Sequence, residues 1–365
     1  MPLFDLNPKD RPQSLFGRDR ELADLIRLVD SGRWVVVLGP RMVGKTSLIK
    51  AASRRMERRS IYVNLWGARG ALGFANAFVH GLNSSRSLVT AIRGGLRRIE
   101  GVSLGPSGIS IDAPRRPLRS VWELLDLIGH EAGNSVIEFD EIQEVAAASG
   151  SILRILGNVF NTHPNVAFVF TGSRFGLIRT LLDPPGDSPL FGRSPARVTL
   201  APFDAETSVA FLERGLREYD LRLPRTALRA AVDRSLDGMP GWLTLFGNRM
   251  AVERLSAEDA ERATVEEGMR VVRSELSHFA VGRDRATMWT ALRVLVGGAS
   301  WTELRDGLSA RRGSRVNDAT VRNLMRALSD AGLITETDER YSILDPMVRT
   351  FVAQTPRPPG RPREP

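Results

Sequence analysis

The sequence contains no cysteine. Disulfides, thiolate nucleophiles and cysteine-based zinc sites are therefore excluded. Histidine is almost as scarce: His80, His130, His163 and His278 are scattered, and no two stand at metal-ligand spacing. Each is read as an ordinary surface or core residue. Lysine occurs only at Lys9, Lys45 and Lys50, so 48 of the 51 basic residues are arginine. Long apolar runs are also missing. The longest, residues 34–38 and 166–170, fall far short of the roughly 20 residues that cross a bilayer. Residues 1–11 mix charges and prolines instead of presenting a basic end and an apolar core, so no secretory signal is expected. These absences point to a cytoplasmic protein with no membrane partner.

What remains is a chain of 365 residues, 42% hydrophobic, long enough for two or three domains with real cores. A formal charge of +9 favours polyanions in general. The excess is not concentrated at the end, because residues 281–365 hold 14 Arg against 10 acidic side chains. A solvated basic surface and non-specific contact with nucleic acid both fit this distribution.

The first 200 residues alternate between helix-like and strand-like segments, the pattern of a parallel sheet with crossover helices. Leu22, Leu25, Ile26 and Val29 recur at helical spacing. Residues 34–38, 61–65, 135–139, 166–171 and 196–200 read as strands. Residues 101–117, rich in Gly, Pro and Ser, break the rhythm and predict an excursion at the edge of the sheet. From residue 202 to about 280 only helical patterns appear. Residues 285–353 then read as three helices and a hairpin, the plan of a winged helix-turn-helix or of a simple packing domain. The expected division is thus an α/β domain over 1–201, a helical domain over 202–281, a winged domain over 282–353, and a disordered Pro/Arg tail over 354–365.

One motif carries most of the chemistry. Gly39-Pro40-Arg41-Met42-Val43-Gly44-Lys45-Thr46 matches the eight-position phosphate loop, directly after a buried strand and before a helix that continues through Ser47. The glycines let successive amides turn toward one phosphate, aided by the positive end of the helix. Lys45 reaches the outer phosphates, and the Thr46 hydroxyl suits Mg²⁺. Such a site needs a carboxylate at the end of a neighbouring strand. Val136-Ile137-Glu138-Phe139-Asp140-Glu141 supplies Asp140 for the metal and Glu141 to polarise the attacking water. Glu138, a charge inside a strand, requires a basic or hydrogen-bonding partner. At the end of the fourth strand, Thr171 or Arg174 can sense the terminal phosphate, or Thr171 and Ser173 can serve as helix caps. Arg193 is a candidate for stabilising transition-state charge, in this subunit or a neighbour, and equally an ordinary surface arginine. In the winged segment Arg322 and Arg326 project away from the apolar face of Val321, Leu324, Met325 and Leu328. With Arg311, Arg312 and Arg315 they suit DNA phosphates, a solvated face or a docking surface.

Several further segments appear in a fixed order: Phe16-Gly17-Arg18, the phosphate loop, Asp140-Glu141-Ile142-Gln143, Thr171-Gly172-Ser173-Arg174, Pro189-Leu190-Phe191-Gly192-Arg193, Gly238-Met239-Pro240 and Tyr341-Ser342-Ile343-Leu344-Asp345-Pro346. In these the sequence resembles the archaeal-type ATPases of the STAND division of AAA-related P-loop NTPases. The resemblance implies a sheet in the order 5-1-4-3-2, a helical lid and a C-terminal winged helix. It also implies that Gly17, Arg18, Gly238 and Pro240 line the adenine side of bound ATP or ADP. Its members are thought to act as ATP-dependent switches in which lid and winged domain move with nucleotide state. Hydrolysis is expected to be slow unless a partner completes the site, and that partner is expected to be another protein or a second copy of the chain. The alternative is a winged-helix DNA-binding regulator with nucleotide as a structural ligand.

Overall fold

The structure, a computed structural model, describes residues 1–111, 116–172, 177–182, 186, 194–280 and 282–360. Apolar stripes and apolar runs in the first 200 residues become, in chain order, α1 (Asp19–Asp30), β1 (Val35–Leu38), α2 (Lys45–Arg55), β2 (Arg59–Asn64), α3 (Gly70–Ser84), α4 (Arg86–Ile92), β3 (Val102–Gly105), β4 (Gly108–Ile111), α5 (Pro117–Glu131), β5 (Ser135–Asp140), α6 (Ser149–Thr162), β6 (Val166–Thr171), α7 (Leu177–Leu182) and β7 (Ala196–Thr199). Their residues, Pro8–Gly39 with Lys45–Leu200, make one of two compact units.

Every residue of β1, β5 and β6 is buried, as expected of strands covered on both faces by helices. β2, β5, β6, β1 and β7 lie side by side in that order, joined by parallel pairings. Numbered among themselves from the β7 edge, these five strands run 5-1-4-3-2. The core beside the sheet is aromatic: Trp34 meets Phe168 edge-on at 4.5 Å, and Phe139 stacks on Phe74, Phe168 and Phe170. The predicted excursion is the antiparallel hairpin β3–β4, a sheet of its own. Asn83 fixes it from α3, accepting from the Ile109 amide at 2.8 Å and donating to the Ile109 carbonyl at 2.9 Å.

Glu138, fully buried in β5, has its partner on α2, where Ser53 Oγ donates to Oε1. Its other oxygen, Oε2, accepts no hydrogen bond. Burial pushes the carboxyl up to about 8, against the lowering effects of Ser53 and Lys50. At neutral pH the side chain is therefore mostly a neutral acid, which removes much of the cost of placing it in a strand.

Met1–Asn7, Pro40–Gly44 and Ala201–Pro365 form the second unit. It contains α8 (Ala205–Arg217), α9 (Arg225–Ala231), α10 (Pro240–Ala251), α11 (Ala257–Phe279), α12 (Arg285–Leu295), β8 (Ala299–Ser300), α13 (Trp301–Arg312), α14 (Asp318–Asp330), β9 (Ile334–Thr337), β10 (Arg340–Ile343) and α15 (Pro346–Gln354). Polar caps set the helix starts: Asp204, Asp284, Asn317 and Asp345 each accept backbone N–H bonds, and Ser300 forms a capping box with Glu303. The hairpin expected near the C-terminus is β9–β10, and β8 adds a third strand in the antiparallel order β8-β10-β9.

Although the sequence assigns residues 1–201 to one domain, Phe4 packs in this second unit. Its ring is fully buried against Phe211 and Tyr219, in a slot open only because residues 215 and 247 are glycine. A Cβ at either position would lie within 2.3 Å of that ring. α10 and α15 are joined by a buried bond from Trp242 Nε1 to Asp345 Oδ1 at 3.2 Å. Beyond α15, the carbonyls of Pro356 and Pro359 accept from Arg293 and Arg285, while residues 361–365 lie outside the described part. No helix among the described residues is long and apolar enough to cross a membrane.

The buried acid yields a pH test. Because Glu138 is held above its unfolded value of 4.5, its contribution is full below that pH and is lost as pH rises through about 8. Wild type should lose melting temperature as pH rises from about 5 to about 8 and level off above that, and Glu138→Gln should flatten that decline in scanning calorimetry.

Candidate active site

Strand β1 delivers the chain to a loop whose backbone is unusual at three positions: Gly39 at φ 151°, Met42 at φ 62° and Gly44 at φ 100°. Two of the three are glycines, which reach positive φ without a Cβ penalty. Met42 adopts the left-handed region as an ordinary residue, at a cost of order 1–2 kcal/mol. Its neighbourhood maintains this: the Gly241 amide at the start of α10 donates to the Met42 carbonyl at 2.8 Å, and a Cβ at 241 would lie within 3.0 Å of three Met42 atoms. Arg41, exposed, pairs with Glu275 of α11, and Val43 is buried.

At the end of the loop Lys45, largely buried, turns back so that Nζ donates to the Gly39 carbonyl at 3.0 Å. Thr46 Oγ1 donates to Asp140 Oδ2 at 2.8 Å, across 94 residues of sequence. The motif's hydroxyl and the strand's carboxylate thus meet. Ser47 is used differently: its Oγ accepts from the Lys9 amide at 3.0 Å.

Asp140 ends β5, 3% exposed, and gathers hydroxyls from three elements. Besides Thr46 on α2, Tyr62 on β2 donates to Oδ2 at 2.6 Å and Thr171 on β6 donates to Oδ1. Burial, then the adjacent Asp140 charge, pushes the Tyr62 hydroxyl well above its ordinary value, so it remains a donor. Lys50 Nζ sits 4.3 Å from the centre of the Tyr62 ring. These oxygens form a hard donor set that suits Mg²⁺. Glu141 follows in left-handed backbone at φ 58°, its amide donating to Thr171 Oγ1 at 3.2 Å and its Oε2 accepting from Gln143 Nε2. Thr171, expected to sense phosphate or cap a helix, links the two carboxylate residues. Gly172 leaves room for Gln143, whose Oε1 would lie 2.1 Å from a Cβ there.

Gly17, at φ 62°, precedes Arg18, which is the N-cap of α1. Arg18 is 7% exposed and its Nη1 pairs with Glu21 at 3.0 Å. Burial lowers its pKa, an effect the Glu21 partnership opposes. In the other unit Gly238 takes φ 71° where a Cβ would strike the Phe203 carbonyl, and Pro240 begins α10. Arg174 and Arg193 lie outside the described residues. Sequence reasoning missed Tyr62 and the orienting contact of Gln143. The pairing of Tyr62 with Glu138 and of Asn64 with Asp140 across β2–β5 is what brings the tyrosine into range.

A pattern describing ATPase domains found predominantly in Archaea matches residues 15–246. The chain belongs to this ATPase family. As an archaeal-type ATPase it binds nucleotide and hydrolyses ATP. It is similar to the Walker-type ATPase of Pyrococcus abyssi, at 28% identity and a TM-score of 0.78, covering 96% of this chain and 99% of that one. The ORC2 protein of Aeropyrum pernix, solved as ADPNP–ADP complexes, is 15% identical with a TM-score of 0.60 over 96% and 97% of the two chains. Cdc6p from Pyrobaculum aerophilum is 14% identical with a TM-score of 0.51 over the same shares. These last two establish a common fold. None of the curated proteins matches.

Removing one of the three donors tests how the carboxylate is held. Tyr62→Phe should cost about 1.5–3 kcal/mol in urea unfolding, the usual worth of a hydrogen bond to a charged group. A loss below about 0.5 kcal/mol would mean that Thr46 and Thr171 alone satisfy Asp140.

Proposed function

We propose that this archaeal-type ATPase is a nucleotide-driven switch of the STAND kind, with Lys45 and the loop amides gripping the phosphates. Thr46 and Asp140 would hold the Mg²⁺ that neutralises charge on the outer phosphates. Glu141, oriented by Gln143, would accept the proton of the attacking water. Gly17, Arg18, Gly238 and Pro240 are assigned to the adenine side, Arg174 to the terminal phosphate and Arg193 to transition-state charge. The observation that carries this reading is the 2.8 Å bond joining Thr46 to Asp140, the two groups that would share one metal ion.

Coupling to the helices after residue 201 has its own support. Met42, at the crest of the loop, is hydrogen-bonded to the first turn of α10, and Arg41 is paired with α11. α10 in turn is bonded through Trp242 to Asp345, the cap of α15 in the winged-helix segment. A change of loop geometry on hydrolysis would therefore be felt at α10 and onward to α15. Cytoplasmic location, turnover limited without a protein partner, and self-association belong to the same proposal.

In a Mg·ATP binding titration Lys45→Ala should lose roughly 100-fold or more in affinity, the consequence of removing about 3 kcal/mol of charge-assisted contact. Glu141→Gln should bind normally yet release phosphate at least about 100-fold more slowly, the usual span of general-base catalysis. Equal phosphate release by wild type and Glu141→Gln would remove the catalytic assignment.

A second reading, a DNA-binding regulator, draws on Arg322 and Arg326, which are exposed on α14, and on exposed Arg311, Arg312 and Arg315 before it. Duplex DNA titrated at several salt concentrations should then show a slope that falls by about 2 when Arg322 and Arg326 are replaced by alanine. Binding unaffected by that double substitution would exclude α14 as the contact.

A further inference from the structure

Two of the four histidines, scattered in sequence, are neighbours in the fold. His130 stands one turn after Asp126 on α5, the i,i+4 spacing that puts both on one face. His163 follows the last residue of α6 and immediately precedes the turn into β6. Its Nε2 lies 2.8 Å from Asp126 Oδ1, and His130 Nε2 lies 3.8 Å from the same oxygen. The two imidazoles meet edge to face, 4.8 Å between centres at 83°. A ligand atom from each of the three residues falls within 4.8 Å of the others.

The surroundings give this cluster a fixed half and an adjustable half. His163 is 5% exposed, and its backbone is tied on both sides by His163 N–H to Val159 O at 2.8 Å and Val166 N–H to His163 O at 3.0 Å. Its ring lies on bare helix: a Cβ at Gly129 would come within 2.3 Å of two ring atoms. A glycine inside a helix costs about 1 kcal/mol relative to alanine, and seating that imidazole against α5 is what the glycine achieves here. Asn165 reinforces the seat, donating to the carbonyls of Gly129 and Gly133 at 2.9 Å each. The side chain of His130, by contrast, is 68% exposed and that of Asp126 is 40% exposed, so both can adjust.

We propose that Asp126, His130 and His163 form a binding site for a divalent first-row transition ion, with Zn²⁺ the best fit, that clamps α5 to the corner between α6 and β6. Two imidazoles and one carboxylate favour such ions over Mg²⁺ or Ca²⁺, which prefer all-oxygen sets. Zinc ligands at about 2.0–2.2 Å in a tetrahedron stand roughly 3.3 Å from one another. The observed separations reach that spacing through rotation of the exposed His130 and Asp126 side chains, with His163 left in place. Three protein ligands leave a fourth position to water. The site lies before the amino end of β6, whereas Thr171 and the Asp140 cluster lie at its carboxyl end, six residues of extended strand, about 20 Å, away. It is therefore separate from the nucleotide site.

The test uses the full, tag-free, chelator-stripped chain without nucleotide, titrated with ZnCl₂ by calorimetry. Wild type should bind one equivalent at micromolar or tighter affinity, with a rise in melting temperature reversed by EDTA and unaffected by millimolar Mg²⁺. His130→Ala removes an exposed side chain, and so should fold normally and keep its basal ATPase rate. Its zinc affinity should fall by at least the roughly 10–100-fold that loss of even an outer-shell partner costs. Asp126→Asn should also weaken the site, and His80→Ala, on exposed α3 surface, should not. The proposal is overturned if wild type takes up no zinc below about 100 µM, or if His130→Ala and wild type bind it equally well.

Discussion

The candidate site is organised around one buried carboxylate. Asp140 accepts hydroxyl donors from α2, β2 and β6, so a single side chain fixes the start of the helix after the phosphate loop against two flanking strands. Removing an acid from water is expensive unless its lone pairs are filled. Three hydroxyls supply hydrogen bonds to both of its oxygens. Hydroxyls satisfy the acid and, being neutral, can rotate to accept or yield.

The backbone departs from common geometry just before α2 and just after β5. Gly39, Met42 and Gly44 before α2, and Glu141 after β5, all have positive φ. Strain of this kind persists only where the surroundings hold it. At Met42 the support comes from the first turn of α10, and at Glu141 it comes from Thr171 and Gln143. Met42 and Glu141 are thus each held by contacts with neighbouring elements. Met42 in particular is tied to α10, whose Trp242 is tied to the cap of α15. Each link in that series is a short contact inside one unit, and none depends on long-range electrostatics.

Much of this was legible in the residues. The five strands of the sheet are apolar runs in a βα alternation, and the phosphate loop announces itself by eight consecutive positions, so both the sheet and the placement of Lys45 and Thr46 could be read directly. Asp140 and Glu141 were legible once a strand was recognised before them. What escaped were contacts made between strands and between distant helices. Tyr62 reaches Asp140 only because β2 pairs in a register that local pattern cannot fix. β8, two residues long, gives no periodic signal and exists because β10 offers an edge. His130 and His163 looked unrelated because 32 residues, including β5 and α6, separate them in the chain. Phe4 looked like part of the first domain because adjacency in sequence says nothing about which glycine-lined slot a ring will fill.

Glu138, Asp140 and Glu141 place three carboxyl groups within four residues, and their environments keep them from acting as one block of repelling charge. Strand alternation puts Glu138 and Asp140 on the same side of the sheet. Both fully ionised there, they would raise each other's cost, and the Asp140 charge is indeed one of the forces holding Glu138 protonated. With Glu138 neutral at physiological pH, the negative charge on that face is concentrated in Asp140, next to Thr46. Glu141 escapes the face altogether, because left-handed backbone at the strand's end turns its side chain toward Gln143. One acid is neutralised by burial, one accepts three hydroxyl donors, and one is turned aside where the backbone becomes left-handed. The division of labour among them thus follows from where β5 ends, since the chemistry of each carboxyl group is set by its distance from the last residue of that strand.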